Sequence, residues 1–332
     1  MVQVIGVPFD LCGRMLGSRM GPAALRAADI IKTPEHYPWL VDLNETFVDL
    51  GDVFVDSITE DERRAVAAGK VPGIKHFGRF LSTMTEIQQR VGESLVSGAT
   101  PLVIGGDHSL SIGSVSAALH HFKGDLAVLW IDAHADLNSP GTTDSGNLHG
   151  MSMAALLGMP SEIDDPLKDG HWNEILRRVG PKFLEPHCAA WLGLRDLDPD
   201  ERRRLLDLPQ SYRRTMHGID RFGLTSAVEN LDTWLRTSGA KHLWISFDVD
   251  TLDPVLAPGT GTAVRGGLTY REAHLLAELL REFLDHEDCP YRLVGLDVVE
   301  TNPVVDSNNE TGKVVVEWVD SLLGKSILGG GL

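Results

Sequence analysis

Leu126-Ala127-Val128-Leu129-Trp130-Ile131-Asp132-Ala133-His134-Ala135-Asp136 is the stretch that decides how this chain is read. Its first six residues are apolar and rich in strand formers. If the strand continues past Ile131, then Asp132, His134 and Asp136 share one face, because strand side chains alternate with period two. Two carboxylates and an imidazole on one patch repel and desolvate one another unless a cation holds them. The stretch reads as a buried strand that ends in part of a metal site.

The same pattern recurs along the chain. Apolar runs at 2–7, 101–104, 189–194, 242–247 and 292–296 lead respectively into Asp10, Gly105-Gly106-Asp107-His108, Arg195-Asp196, Asp248-Val249-Asp250, and Asp297 with Glu300. Near-continuous apolar runs suit strands buried on both faces of a parallel sheet. Helical patterns lie between them. Thr269-Tyr270-Arg271-Glu272 has the form of a capping box, and Ala273, Leu276, Ala277, Leu280 and Leu284 then mark one apolar face. Ile87, Val91 and Leu95 mark a second helix, and Val228, Leu231 and Leu235 a third. Segments 109–119 and 151–157 read as helices rich in small residues, and 314–328 as a closing helix. Segments 160–171 and 252–267, rich in Pro, Gly, Asp and Thr, read as surface or active-site loops. This strand–helix alternation predicts an α/β fold, with ligands at the carboxyl ends of the strands. Candidate site residues run from His108 to Glu300, so one domain is expected over residues 1–332.

The chain has 47 acidic and 30 basic residues and a net charge of −17. That balance excludes nucleic acid and anionic membrane surfaces as natural partners, since both want clustered Lys and Arg. Cys12, Cys188 and Cys289 form no closely spaced pair, so neither a disulfide framework nor a zinc–thiolate site is expected. The first residues read as a strand rather than a signal peptide. No apolar run reaches the roughly 18–20 residues of a spanning helix, so a cytoplasmic protein is expected.

Asp248 and Asp250 repeat the spacing of Asp132 and His134, and Gly105-Gly106 can turn His108 across the strand ends. His108, Asp132, His134, Asp136, Asp248 and Asp250 are more ligands than one divalent ion needs, whereas two ions sharing carboxylates would use them all. Oxygen-rich ligation with some imidazole suits manganese, with iron or zinc as alternatives. Two metals about 3.5–4 Å apart would lower the pKa of a shared water and clamp a hydrolytic transition state. A lone strand-end Asp is more often a turn or cap residue; the combination is what carries the metal reading.

Gly105-Gly106-Asp107-His108-Ser109, Asp132-Ala133-His134-Ala135-Asp136 and Ser246-Phe247-Asp248-Val249-Asp250 resemble the three signatures of the ureohydrolases, the arginase and agmatinase family. The resemblance runs from Gly6-Val7-Pro8-Phe9-Asp10 and Gly21-Pro22 to Gly295-Leu296-Asp297 and Glu300. It implies a three-layer α/β/α fold around a central, mostly parallel sheet. It also implies two Mn2+ ions, hydrolysis of a small guanidino substrate to urea, and a homo-oligomer, trimer or hexamer. By the same resemblance Asp132 and Asp248 bridge the ions, His108 and Asp136 complete one site, and His134 and Asp250 complete the other. Asp136 would also orient the attacking water. The loop 136–150 is similar to the arginase loop in which Asn138 and Ser145 would bind the substrate α-carboxylate and His149 would relay a proton. Asp198 and Glu201 would receive the α-amino group, Glu300 the guanidinium, and Thr262 would line the pocket. L-Arginine is the substrate this implies. Ala257-Pro258-Gly259-Thr260-Gly261-Thr262 is closer to the agmatinase form, which keeps agmatine or another guanidino compound as the alternative; a non-catalytic metal-binding relative ranks below both.

Overall fold

The computed structural model describes residues 1–326 apart from positions 34, 38, 44 and 69. Eight strands among them form one sheet: β1 (Val2–Val7), β2 (Phe47–Asp52), β3 (Thr100–Gly105), β4 (Ala127–Ile131), β5 (Ala189–Leu194), β6 (Tyr212–Thr215), β7 (His242–Asp248) and β8 (Arg292–Val299). Their order is β2-β1-β3-β8-β7-β4-β5-β6. Every pairing is parallel, where the sequence predicted a mostly parallel sheet. β4 and β5 are buried along their whole length, as strands covered on both faces must be.

Helices cover both faces. Phe77–Val96, Leu110–His121, Ser152–Leu156 and Pro166–Val179 pack among themselves, and so do Gly21–Ala27, Leu224–Ser238, Tyr270–Asp285 and Glu310–Leu322. The result is a three-layer α/β/α fold. The capping box at Thr269 forms as predicted, with Glu272 as its reciprocal partner. No helix among the described residues is long and apolar enough to cross a membrane.

Four expectations are corrected. The strand carrying Asp132 does not continue. β4 stops at Ile131, and Asp136 has a left-handed backbone, φ 51°. Likewise β7 stops at Asp248, and Val249–Thr251 is a short 3-10 turn. Period-two alternation therefore does not aim these side chains; loop geometry at the strand ends does. Part of the expected loop 160–171 is the start of the helix Pro166–Val179. Asp165 caps it by accepting hydrogen bonds from Leu167 N and Lys168 N, and Pro166 occupies its first position. The closing helix spans Glu310–Leu322 rather than 314–328, and positions 327 and 328 lie outside the described residues. Finally, β2 and β6 had no counterpart in the apolar runs. Both are edge strands, half exposed and polar (Phe-Val-Asp-Leu-Gly-Asp and Tyr-Arg-Arg-Thr), so neither carries a continuous hydrophobic run.

Gly105 ends β3 with φ 122°, and a Cβ there would lie 2.3 Å from the Pro22 ring. That turn delivers Asp107 and His108 to the strand ends, so Gly105→Ala combines backbone strain with a collision. Denaturant unfolding is expected to show a loss of at least about 1–3 kcal/mol.

Candidate metal centre

β3, β8, β7 and β4 are neighbours in the middle of the sheet, and their carboxyl ends deliver the polar groups. Asp132, at the exit of β4, is buried and splits its two oxygens. Oδ2 lies 3.1 Å from His108 Nδ1, and Oδ1 lies 3.3 Å from His134 Nδ1. His108 Nδ1 also faces Asp136 Oδ2 at 3.3 Å and Asp248 Oδ2 at 3.1 Å. His134 Nδ1 faces Asp250 Oδ2 at 3.0 Å. Two three-residue groups result, His108–Asp132–Asp136 and Asp132–His134–Asp250. Within each, the ligand atoms lie within 4.8 Å of one another, and Asp132 belongs to both. All six residues that the sequence singled out as ligands meet here.

The surrounding shell fixes these atoms. His108 Nε2 is hydrogen-bonded to Ser246 Oγ (2.9 Å), which turns Nδ1 toward the carboxylates. The His108 ring stacks on buried Trp130 of β4 at 3.9 Å. Asp248 Oδ1 accepts from Asp250 N, and Asp132 Oδ1 accepts from His134 N. Ala133 N donates to Asp250 Oδ1, and Thr262 Oγ1 donates to Asp250 Oδ2 (2.8 Å). Asp136 and Glu300 both take positive φ, at 51° and 61°. Non-glycine residues hold that region only when their surroundings over-determine it.

The electrostatics call for a cation. Burial, then repulsion from Asp132, pushes the Asp136 carboxyl well above its ordinary pKa. Burial and Asp250 do the same to Asp248, and burial and Asp132 to Asp250. Burial opposes a charged His108, yet Asp132 and Asp248 raise it well above the usual imidazole value. His108 Nδ1, Asp132 Oδ2 and Asp136 Oδ2 are buried and, although close to one another, have no partner in hydrogen-bonding geometry among the described residues. Three such atoms converging from two aspartates and one imidazole could hold a metal ion.

A cleft of about 460 Å³ opens above the centre. Asn138, Ser145, His149, Asp198, Glu201 and Thr262 line it together with His108, His134, Asp136 and Asp248. Asn138, which lines the cleft, donates one Nδ2 hydrogen to Asp198 Oδ2 (2.6 Å) and accepts from Thr142 Oγ1, which leaves its second Nδ2 hydrogen without an acceptor among the described residues. Asp198 and Glu201 close a capping box on the helix Pro199–Leu206, and Glu201 also accepts from Leu137 N. Burial, then Asp198, pushes the Glu201 carboxyl up to about 7. Glu300 is buried and borders the cleft through His149, which lines it. Its Oε1 accepts from His149 Nδ1 (2.9 Å) and from His108 N (3.0 Å). Burial works against a charged His149, but the Glu300 contact raises its pKa overall.

Sequence reasoning missed several members of this site. Ser246 was legible, because it lies two residues before Asp248 on β7 and so shares its face. Thr142, which orients Asn138, looked like any loop threonine. Lys75 donates to Ser145 O (2.6 Å) and Asn147 Oδ1 (2.9 Å) and ties down the cleft loop from 70 residues away, and Arg14 stands on the cleft wall. No local pattern announces either.

A family model described as Arginase family matches residues 1–324. The arginase of Bacillus subtilis (strain 168) is 37% identical over 330 residues, covering 98% of this chain and 99% of that protein. The arginase of Staphylococcus aureus (strain MRSA252) is 34% identical over 328 residues, covering 98% of both. The crystal structure of arginase from Bacillus subtilis subsp. subtilis str. 168 superposes with a TM-score of 0.80 at 34% identity, covering 98% of this chain and 99% of that one.

Protons on these ligands compete with a cation. Asp136, Asp248, Asp250, His108 and His134 have raised pKa values, while contacts with His108 and His134 hold Asp132 well below the usual carboxylate range against its burial, so metal binding displaces protons from the other five and strengthens as pH rises. Calorimetric titration of Mn2+ in two buffers of different ionisation enthalpy is expected to show proton release. The affinity is expected to be higher at about pH 8 than at about pH 6.

Proposed function

This chain belongs to the arginase family, and from that premise we infer that it hydrolyses the guanidino group of L-arginine to L-ornithine and urea. The observation that carries the reading is the pair of His/Asp groups sharing Asp132, with three orphaned ligand atoms at the floor of an acidic cleft. Two Mn2+ ions fit this donor set. His108, Asp132, Asp136 and Asp248 would hold one, Asp132, His134, Asp250 and Asp248 the other, with Asp132 and Asp248 between them. Bound there, the metals supply Lewis-acid polarisation and lower the pKa of a water.

The chain's own residues do the rest. Asp136, at the floor of the cleft, orients the water whose oxygen bonds to the guanidino carbon. The carbon–nitrogen bond to the ornithine side chain breaks, and the leaving amine takes a proton. His149 holds that proton at Nε2, because its Nδ1 is occupied by Glu300 Oε1. Glu300 Oε2 has no hydrogen bond among the described residues and is the atom left for the guanidinium, a planar cation that wants a carboxylate partner. At the other end of the cleft, the second Nδ2 hydrogen of Asn138 and the Ser145 hydroxyl meet the α-carboxylate. Glu201 and Asp198 offer negative charge to the α-ammonium. Thr262 lines the cleft but commits its hydroxyl hydrogen to Asp250, so its part is to hold a ligand. The same reading makes the enzyme cytoplasmic and homo-oligomeric, trimer or hexamer, with a single domain over the whole chain.

Two measurements of urea release test this. Asp136→Ala is expected to lower kcat by at least about 100-fold with manganese supplied, and His149→Asn by about 100-fold or more. Asn138→Ala is expected to lower kcat/KM for L-arginine by roughly 10- to 100-fold, the cost of one hydrogen bond to a charged group. It should leave turnover of agmatine, which lacks the carboxylate, nearly unchanged. Full activity of Asp136→Ala would overturn the assignment.

A further inference from the structure

Arg195 follows β5 directly and has no ion pair among the described residues, although Asp132, Asp248, Asp250 and Asp253 stand nearby. Its neutral partners are all backbone carbonyls. Nη2 donates to the carbonyl oxygens of Asp250, Leu252 (3.4 Å) and Val264 (2.8 Å), and Nη1 reaches Gly193 O at 3.4 Å. Its backbone is tied to the opposite loop, since Arg195 N and Asp196 N both donate to Ala133 O, at 2.9 and 3.1 Å. The Nε atom is buried with no hydrogen-bond partner among the described residues. A half-buried guanidinium that spends its donors on neutral carbonyls is costly to keep unless its place and charge are needed.

Its partners share one property. Asp250 is a candidate ligand, and Ala133 sits between Asp132 and His134. Val264 belongs to the segment whose Thr262 hydroxyl holds Asp250 Oδ2. The chain beneath packs equally close: a Cβ on Gly193 would lie 2.6 Å from Thr251 Oγ1 and 3.0 Å from Asp132 O. The other half of the centre is held differently, by Ser246 on His108 Nε2 and by Glu300 on His108 N, and Arg195 reaches neither.

We propose that Arg195 is a positioning residue for one half of the centre: it clamps Asp250 and the 252–264 segment onto the Ala133 turn, and so sets the affinity of the Asp132–His134–Asp250 site while leaving the His108–Asp136 site to its own supports. The inference rests on the two-metal reading above. Arg195 touches no ligand oxygen, so it acts through the backbone of Asp250 and through one positive charge placed behind the acidic cluster. Lysine cannot replace it fully: one ammonium could meet the carbonyls of Asp250, Leu252 and Val264 that Nη2 serves, but not Gly193 O as well, which Nη1 reaches, and its flexible stem lacks the fixed guanidinium plane.

The test is manganese stoichiometry and stepwise affinity, with free Mn2+ read by electron paramagnetic resonance, in the wild-type protein, Arg195→Ala and Arg195→Lys. Arg195→Ala is expected to retain about one ion per chain after desalting, where the wild type retains about two, with the first affinity unchanged. Arg195→Lys is expected to bind the second ion about tenfold or more weakly, the usual effect of losing a supporting contact behind a ligand. If Arg195→Ala does not fold, Arg195→Lys decides by the same criterion. Two ions bound as tightly as in the wild type, or both affinities weakened by the same factor, would overturn the proposal. A wild-type protein that binds only one ion would instead contradict the two-metal reading, whatever Arg195 does.

Discussion

Mutual repulsion among buried carboxylates is the constraint that the rest of this structure answers. Asp132, Asp136, Asp248 and Asp250 are all buried, and the ligand atoms of each three-residue group lie within 4.8 Å of one another. At such separations each like-charged pair costs roughly 4 kcal/mol at an effective dielectric constant of 20. Imidazoles and backbone N–H groups relieve part of this. His108 and His134 sit between the aspartates, and Ala133, His134 and Asp250 each donate a backbone hydrogen. The remaining orphaned atoms point inward at one place, which is what a site built for divalent ions requires.

The fold meets the constraint by collecting strand ends. In a parallel sheet every strand leaves at the same edge, so β3, β4, β7 and β8 can each contribute to one site while the apolar strands anchor them below. Trp130 shows both duties, with its side chain in the core and its ring against His108. Aiming the side chains then falls to the loops. Left-handed backbone at Asp136 and Glu300, the glycine turn at Gly105 and the short 3-10 turn after Asp248 each redirect the chain close to a strand end. The same economy couples chemistry to structure in the cleft, where Asp198 and Glu201 cap a helix and face the substrate space at once.

How much of this was legible depended on range. The central strands were readable because burial on both faces leaves a continuous apolar run, as in β4 and β7. The edge strands β2 and β6 were not, because an edge tolerates polar residues and exposure. The six candidate ligands were recognisable from residue type and from their position after the strands, even though the period-two argument for their alignment failed at Ile131. The capping box at Asp198 could have been read from Asp-Pro-Asp-Glu, as the one at Thr269 was. Contacts between distant segments left no such trace. Glu300 behind His149, Lys75 on the cleft loop and Arg195 across the carbonyls of Asp250 and Val264 are set by tertiary packing, and no window of sequence contains both partners.

The claim that one shared aspartate joins two ion sites is tested most directly by anomalous X-ray diffraction from manganese-loaded crystals at the manganese edge. Two anomalous peaks are expected at the floor of the cleft, about 3.5 Å apart, with Asp132 in contact with both. A single peak, or two peaks with no common aspartate, would contradict it.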